Sequence, residues 1–149
     1  MQPIGAGTQA PAIPGAPAGT RLVVFYKTTC PVCQMAAPTW HSLAEAHPGS
    51  VYSVGQDPKP VLDEFAAEHG SEGVPGRSDL APYDLSNAYG VRVVPTLFLI
   101  DDTGAIKDFT ESWDRDAFNR VSQGLSDLTG SSAVVTSEPG DGLPPFRPG

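Results

Sequence analysis

A chain of 149 residues has the length of a single domain and buries enough surface to fold without a metal or disulfide staple. Its formal charge of −8 and pI near 4.6 exclude nucleic acid and anionic membrane surfaces as partners, because both require a basic footprint. No apolar run approaches the roughly 18 residues of a membrane span, and the first twenty residues lack the basic start and apolar core of a secretory signal. A cytoplasmic location is therefore expected, or an exported one if a signal peptide has been removed.

Residues 1–19 are rich in Gly, Pro and Ala and read as a flexible or extended lead-in along the domain edge. Folding signals begin at Arg21-Leu22-Val23-Val24-Phe25-Tyr26, a β-branched and aromatic run suited to a central strand buried on both faces. After Lys27-Thr28-Thr29, the segment Cys30-Pro31-Val32-Cys33 opens a helix. Proline is favoured in a first turn, and Met35, Ala36, Trp40, Leu43 and Ala44 continue the helical spacing, with Pro38 as a kink. Val51 to Val54 reads as a second strand and Val61 to His69 as a helix capped by Gly70. Residues 71–82 are loop-rich, with a short strand near Val74, and a brief helix from Asp84 to Tyr89 stops at Gly90.

The run Thr96 to Ile100, the turn Asp101-Asp102-Thr103-Gly104 and the return Ala105 to Phe109 form a hairpin. Asp114 is a natural cap for a last helix carrying Phe118, Val121, Leu125 and Leu128. Residues 20–129 thus read as one layered α/β domain, and residues 130–149, full of Ser, Pro and Gly, as a disordered tail.

Cys30 and Cys33 are the only cysteines. Linking residues three apart removes little unfolded-chain entropy, so the pair is poor as a staple and its use is chemical. The thiolate is the reactive form, and a helix start stabilises it through free backbone N–H groups and the positive end of the helix dipole. Cys30 occupies that start, with Lys27 near enough to add positive charge. It is therefore the candidate nucleophile, and Cys33, one turn further in and more buried, the resolving thiol. Zinc is the competing use of a Cys-x-x-Cys pair, but it needs four ligands; there is no second cysteine pair, and His41, His47 and His69 serve only if the fold brings two of them to the motif.

The stretch from Val23 to Pro38, with a proline five residues past the second cysteine, resembles the active-site segment of thioredoxin-like proteins. Gly90 to Asp101 resembles the family's second signature, in which Pro95 follows a cis peptide bond. The extra helical segment between Val54 and Tyr83 is closer to the TlpA-type and redoxin branch. The resemblance implies a thioredoxin-like fold: a central mixed β-sheet flanked by helices, with a helical insertion before the cis-proline. It also implies electron exchange with protein disulfides or dithiols and an upstream redox partner. Val94 and Pro95 would form the substrate surface beside Cys30, with Lys27, Thr29, Pro31 and Val32 as active-site neighbours. The redox group would be the cysteine pair itself, with no other cofactor and no metal, in a monomer.

Three departures stand out. Thr29 replaces the family's tryptophan, Pro31-Val32 replaces Gly-Pro, and Val24 holds the place of the buried aspartate that takes the resolving thiol's proton. A peroxiredoxin-like peroxidase would need Thr or Ser three residues, and Pro seven residues, before its cysteine. Those places hold Cys30 and Tyr26 for Cys33, and Lys27 and Val23 for Cys30. A non-catalytic binding or redox-sensing module is the remaining alternative, and the intact cysteine pair argues against it.

Overall fold

The structure is a computed structural model describing residues 3–132 and 134–149. Strand β1 (Arg21–Tyr26) alternates its side chains between two apolar clusters. Leu22, Val24 and Tyr26 belong to one, Val23 and Phe25 to the other. A strand buried on both faces needs neighbours on both edges, and β1 has them. It pairs in parallel with β2 (Val51–Gly55) and antiparallel with β4 (Thr96–Ile100). Strands β3 (Gly76–Ser78) and β5 (Ile106–Glu111) complete a mixed sheet of order β3-β2-β1-β4-β5, with β1 central as expected. The short strand β3 lies two residues beyond the Val74 position read from sequence.

Three helices share the first cluster: α1 (Pro31–Ala46), α2 (Lys59–His69) and α4 (Arg115–Thr129). Helix α1 contributes Ala36, Ala37, Trp40 and Leu43, and Pro38 sits within it without ending it. Helix α4 is capped at its start by the Asp114 carboxylate, which accepts from the Ala117 N–H at 3.0 Å, and at its end by Gly130 at φ 72°. Helix α2 likewise ends on Gly70 at φ 78°. The insertion between β2 and β4 is α2, β3 and the short α3 (Asp84–Ala88). Among the described residues, no helix is long and apolar enough to cross a membrane.

The second face is covered by residues beyond the central domain. Ile4, Ala10, Ile13 and Ala16 pack against Phe25, Tyr89, Phe98 and Ile106. Backbone bonds from Ile4, Gly7 and Ala10 tie the segment to Tyr89, Ile106 and Gly104. The described part of the lead-in is thus laid against the sheet, because half of β1's apolar surface would otherwise face water.

The tail, whose composition points to disorder, makes specific contacts with the domain. Strand β7 (Phe146–Arg147) pairs antiparallel with β6 (Trp113–Asp114). The fully buried Trp113 indole donates to the Pro144 carbonyl at 2.6 Å. Asn119 on α4 holds Thr136 and Ser137, and Arg115 donates to the Leu143 carbonyl at 2.7 Å. Composition alone makes such a segment look unstructured. Here, the polar side chains of α4 and the indole of Trp113 give its backbone a set of partners.

Candidate active site

The end of β1 and the start of α1 place the two cysteines, and the loop between them is braced. The N–H and hydroxyl of Thr28 both donate to Asp57 Oδ2, at 2.9 and 2.8 Å, and the Gln34 amide donates to the Thr28 carbonyl at 2.9 Å. Thr29 is exposed, Pro31 takes the first helical position with no N–H to leave unpaired, and Val32 is buried. Cys30 is the N-cap residue, and its sulfur accepts from the Cys33 N–H at 3.4 Å. Both cysteines are free thiols, Cys30 half-buried and Cys33 fully buried.

Their electrostatics are opposite. The hydrogen bond from the Cys33 thiol, aided by the backbone N–H groups of Cys33 and Val32 and by the charge of Arg147, outweighs desolvation and lowers Cys30 to about 6. Burial pushes the Cys33 thiol far up, and its hydrogen bond to Cys30 pushes it further. Cys33 shares its apolar cluster with Val24, Ala36 and Trp40, and the side chain at position 24 offers no proton acceptor.

The second signature lies beside the pair. Val94–Pro95 is a cis peptide, Pro95 is buried, and the Cys30 thiol lies 3.5 Å from the Val94 carbonyl oxygen. A second cis peptide, Ala81–Pro82, was not read from sequence. Cys30, Cys33, Pro31, Val32, Val94 and Pro95 therefore converge.

Lys27 is directed elsewhere, with its ammonium 5.9 Å from the centre of the Tyr83 ring. The cation whose field lowers Cys30 is instead Arg147, from the tail. Its guanidinium also reaches the Met35 sulfur at 4.0 Å. Sequence reasoning misses it because the composition of the tail points to disorder. The signal was an aromatic and basic pair, Phe146-Arg147, in an otherwise uncharged or acidic stretch. Tyr26 is a packing residue, set against Trp40 and Phe65 at centroid distances of 5.7 and 5.0 Å. The histidines have other partners: His41 pairs with Glu45, His47 lies 3.0 Å from the Ser131 hydroxyl, and His69 packs on Phe65.

Comparison with curated protein sequences gives no match. Among solved structures, the chain is similar to the thioredoxin domain of a thiol-disulfide oxidoreductase from Bacteroides vulgatus, with TM-score 0.68 and 22% identity. That match covers 82% of this chain and 99% of the other. A thiol:disulfide interchange protein from Bacteroides sp. matches with TM-score 0.68 and 22% identity over 83% of this chain and 91% of that one. MTB dsbF matches with TM-score 0.63 and 22% identity over 73% and 82%. At these identities the likeness shows the fold, which is thioredoxin-like. The sequence itself matches a family model over residues 16–109, well over half its length, and so the chain belongs to the AhpC/TSA family.

Proposed function

We propose that the protein is a thiol–disulfide oxidoreductase that exchanges electrons with protein disulfides or dithiols through Cys30 and Cys33. The observation that carries this reading is the asymmetry of the pair. One thiol belongs to a partly exposed residue and is lowered to about 6, and the other is fully buried and pushed up. In the reducing direction, the Cys30 thiolate attacks one sulfur of a substrate disulfide, forming a mixed disulfide and expelling the other sulfur as a thiolate. Cys33 then gives up its proton, attacks the Cys30 sulfur and releases the second substrate thiolate. The substrate gains two electrons and the pair becomes a disulfide, which an upstream redox partner reduces. Because Val24 replaces an acid, the released substrate thiolate or water takes the Cys33 proton. Stabilising the Cys30 thiolate favours the dithiol state, which places the pair toward the oxidising end of this chemistry.

The Val94–Pro95 segment supplies the docking surface, since its carbonyl already faces Cys30. The pair itself is the redox group and needs no added cofactor, and one chain carries the whole constellation, as a monomer would. The similar solved structures, described as thiol:disulfide interchange proteins and oxidoreductases, support the reading. The test is a pair of variants assayed with a disulfide-bonded protein. Cys30→Ser abolishes turnover, and Cys33→Ser accumulates mixed disulfides on Cys30 that mass spectrometry detects. Sustained turnover by Cys30→Ser would overturn the assignment.

A further inference from the structure

The tail runs directly into the site. From Pro144, anchored by the Trp113 indole, the chain passes through Pro145, whose carbonyl accepts from the Arg115 N–H at 3.0 Å, and pairs Phe146–Arg147 with Trp113–Asp114. It reaches Gly149, whose N–H donates to the Ser112 hydroxyl at 2.9 Å. Ser112 in turn donates its own N–H to the Pro95 carbonyl at 2.8 Å, so this anchor is fixed to the cis-proline segment. Gly149 itself lies against the Val94 backbone, so closely that a side chain there would collide with the Val94 carbonyl oxygen. That oxygen is the one 3.5 Å from the Cys30 sulfur. On the other side, Arg147 spans to Met35 in α1. An extended chain therefore bridges the cis-proline segment and the active-site helix, the two walls between which a partner would approach Cys30.

We infer that segment 144–149 is a built-in occupant of the partner-docking surface, a strap that must lift from Val94 before a protein disulfide reaches Cys30. This rests on the docking role given above to Val94 and Pro95. The strap is shallowly held: residues 145–149 are exposed, and Phe146, at 54% exposure, leaves its ring largely in water. Such a segment opens far more readily than the core does. While it is down, only a fraction of molecules is competent to bind, and apparent affinity for a large partner falls by that fraction. Small thiol reagents need no such opening, because Cys30 is partly exposed with the segment in place.

The experiment compares two probes, iodoacetamide and a disulfide-bonded protein, on the intact chain and two variants. Removing residues 146–149 leaves the Trp113–Pro144 bond in place. Gly149→Val keeps the chain whole but adds a side chain where the Val94 carbonyl lies. Both variants should raise the rate with the protein disulfide by about tenfold, the factor that about 1.4 kcal/mol of strap contacts gives. Iodoacetamide, compared at a pH above the Cys30 midpoint of each variant, should change by less than about twofold, well inside that factor. An unchanged ratio of the two rates in both variants, or a fall in the protein-disulfide rate, overturns the strap. No reaction of the intact chain or either variant with the protein disulfide, while iodoacetamide still reacts, would mean that the oxidoreductase reading itself has failed.

Discussion

Cys33→Ala isolates the largest contribution to the lowered Cys30 thiol. The Cys33 thiol beside Cys30 is the first cause of that lowering, and the N–H groups of Val32 and Cys33 and the charge of Arg147 add to it. Alanine removes the side-chain donor and keeps the backbone donors. A hydrogen bond to a charged group contributes about 1.5–3 kcal/mol, and one pKa unit corresponds to about 1.4 kcal/mol, so Cys30 should rise by about one to two units. Its midpoint then moves from about 6 to about 7–8. Iodoacetamide alkylation of Cys30 against pH reads this directly, as does thiolate absorbance near 240 nm. Cys33→Ser, which keeps an O–H donor, should fall between the two. A Cys33→Ala midpoint still near 6 would refute the view that the partner thiol activates Cys30 and would leave the helix start and Arg147 to account for the whole effect.

The reduced protein should also lose stability on mild acidification. Cys30 falls from 9.0 in the unfolded chain to about 6 when folded, so its contribution is complete above about pH 9 and is lost as pH falls through about 6. The full shift corresponds to about 4 kcal/mol, or about half that once solvent screening of a partly exposed group is allowed for. His47, lowered by burial, acts in the same direction. Urea unfolding at pH 6 and 9 should therefore show a slope in the wild type that flattens in Cys30→Ser, and equal slopes in the two would contradict it. Leu43→Ala, which empties a fully buried site in α1, should cost about 2–5 kcal/mol in urea unfolding. Asp114→Ala should cost about 1 kcal/mol, because it removes only the bond to the Ala117 N–H.

The parts of this molecule that were legible in the sequence are those in which local chemistry and tertiary packing agree. The apolar run Leu22 to Tyr26 suits a strand buried on both faces, and Pro31 after Cys30 marks a helix start. Asp114 and Gly130 bounded α4 by capping chemistry alone. The terminal segments were illegible for the opposite reason. Their order comes from distant partners: the Trp113 indole for Pro144, Asn119 for Thr136 and Ser137, and the apolar cluster around Phe98 for Ile4 and Ile13. No periodicity within a Pro, Gly and Ser stretch reports such contacts. The same blindness misassigned the cation. Lys27 is adjacent to the motif in sequence, but it is the charge of Arg147, placed by the pairing of β7 with β6, that acts on Cys30.

The central claim is that Cys30 and Cys33 act as one reversible redox unit. Its most direct test equilibrates the protein with glutathione buffers of graded potential and counts free thiols by mass after alkylation. A single two-electron transition, in which both cysteines become protected together, is the expected result, with a midpoint toward the oxidising side because the Cys30 thiolate stabilises the dithiol. Independent one-thiol transitions, or no transition across the range, would contradict the account.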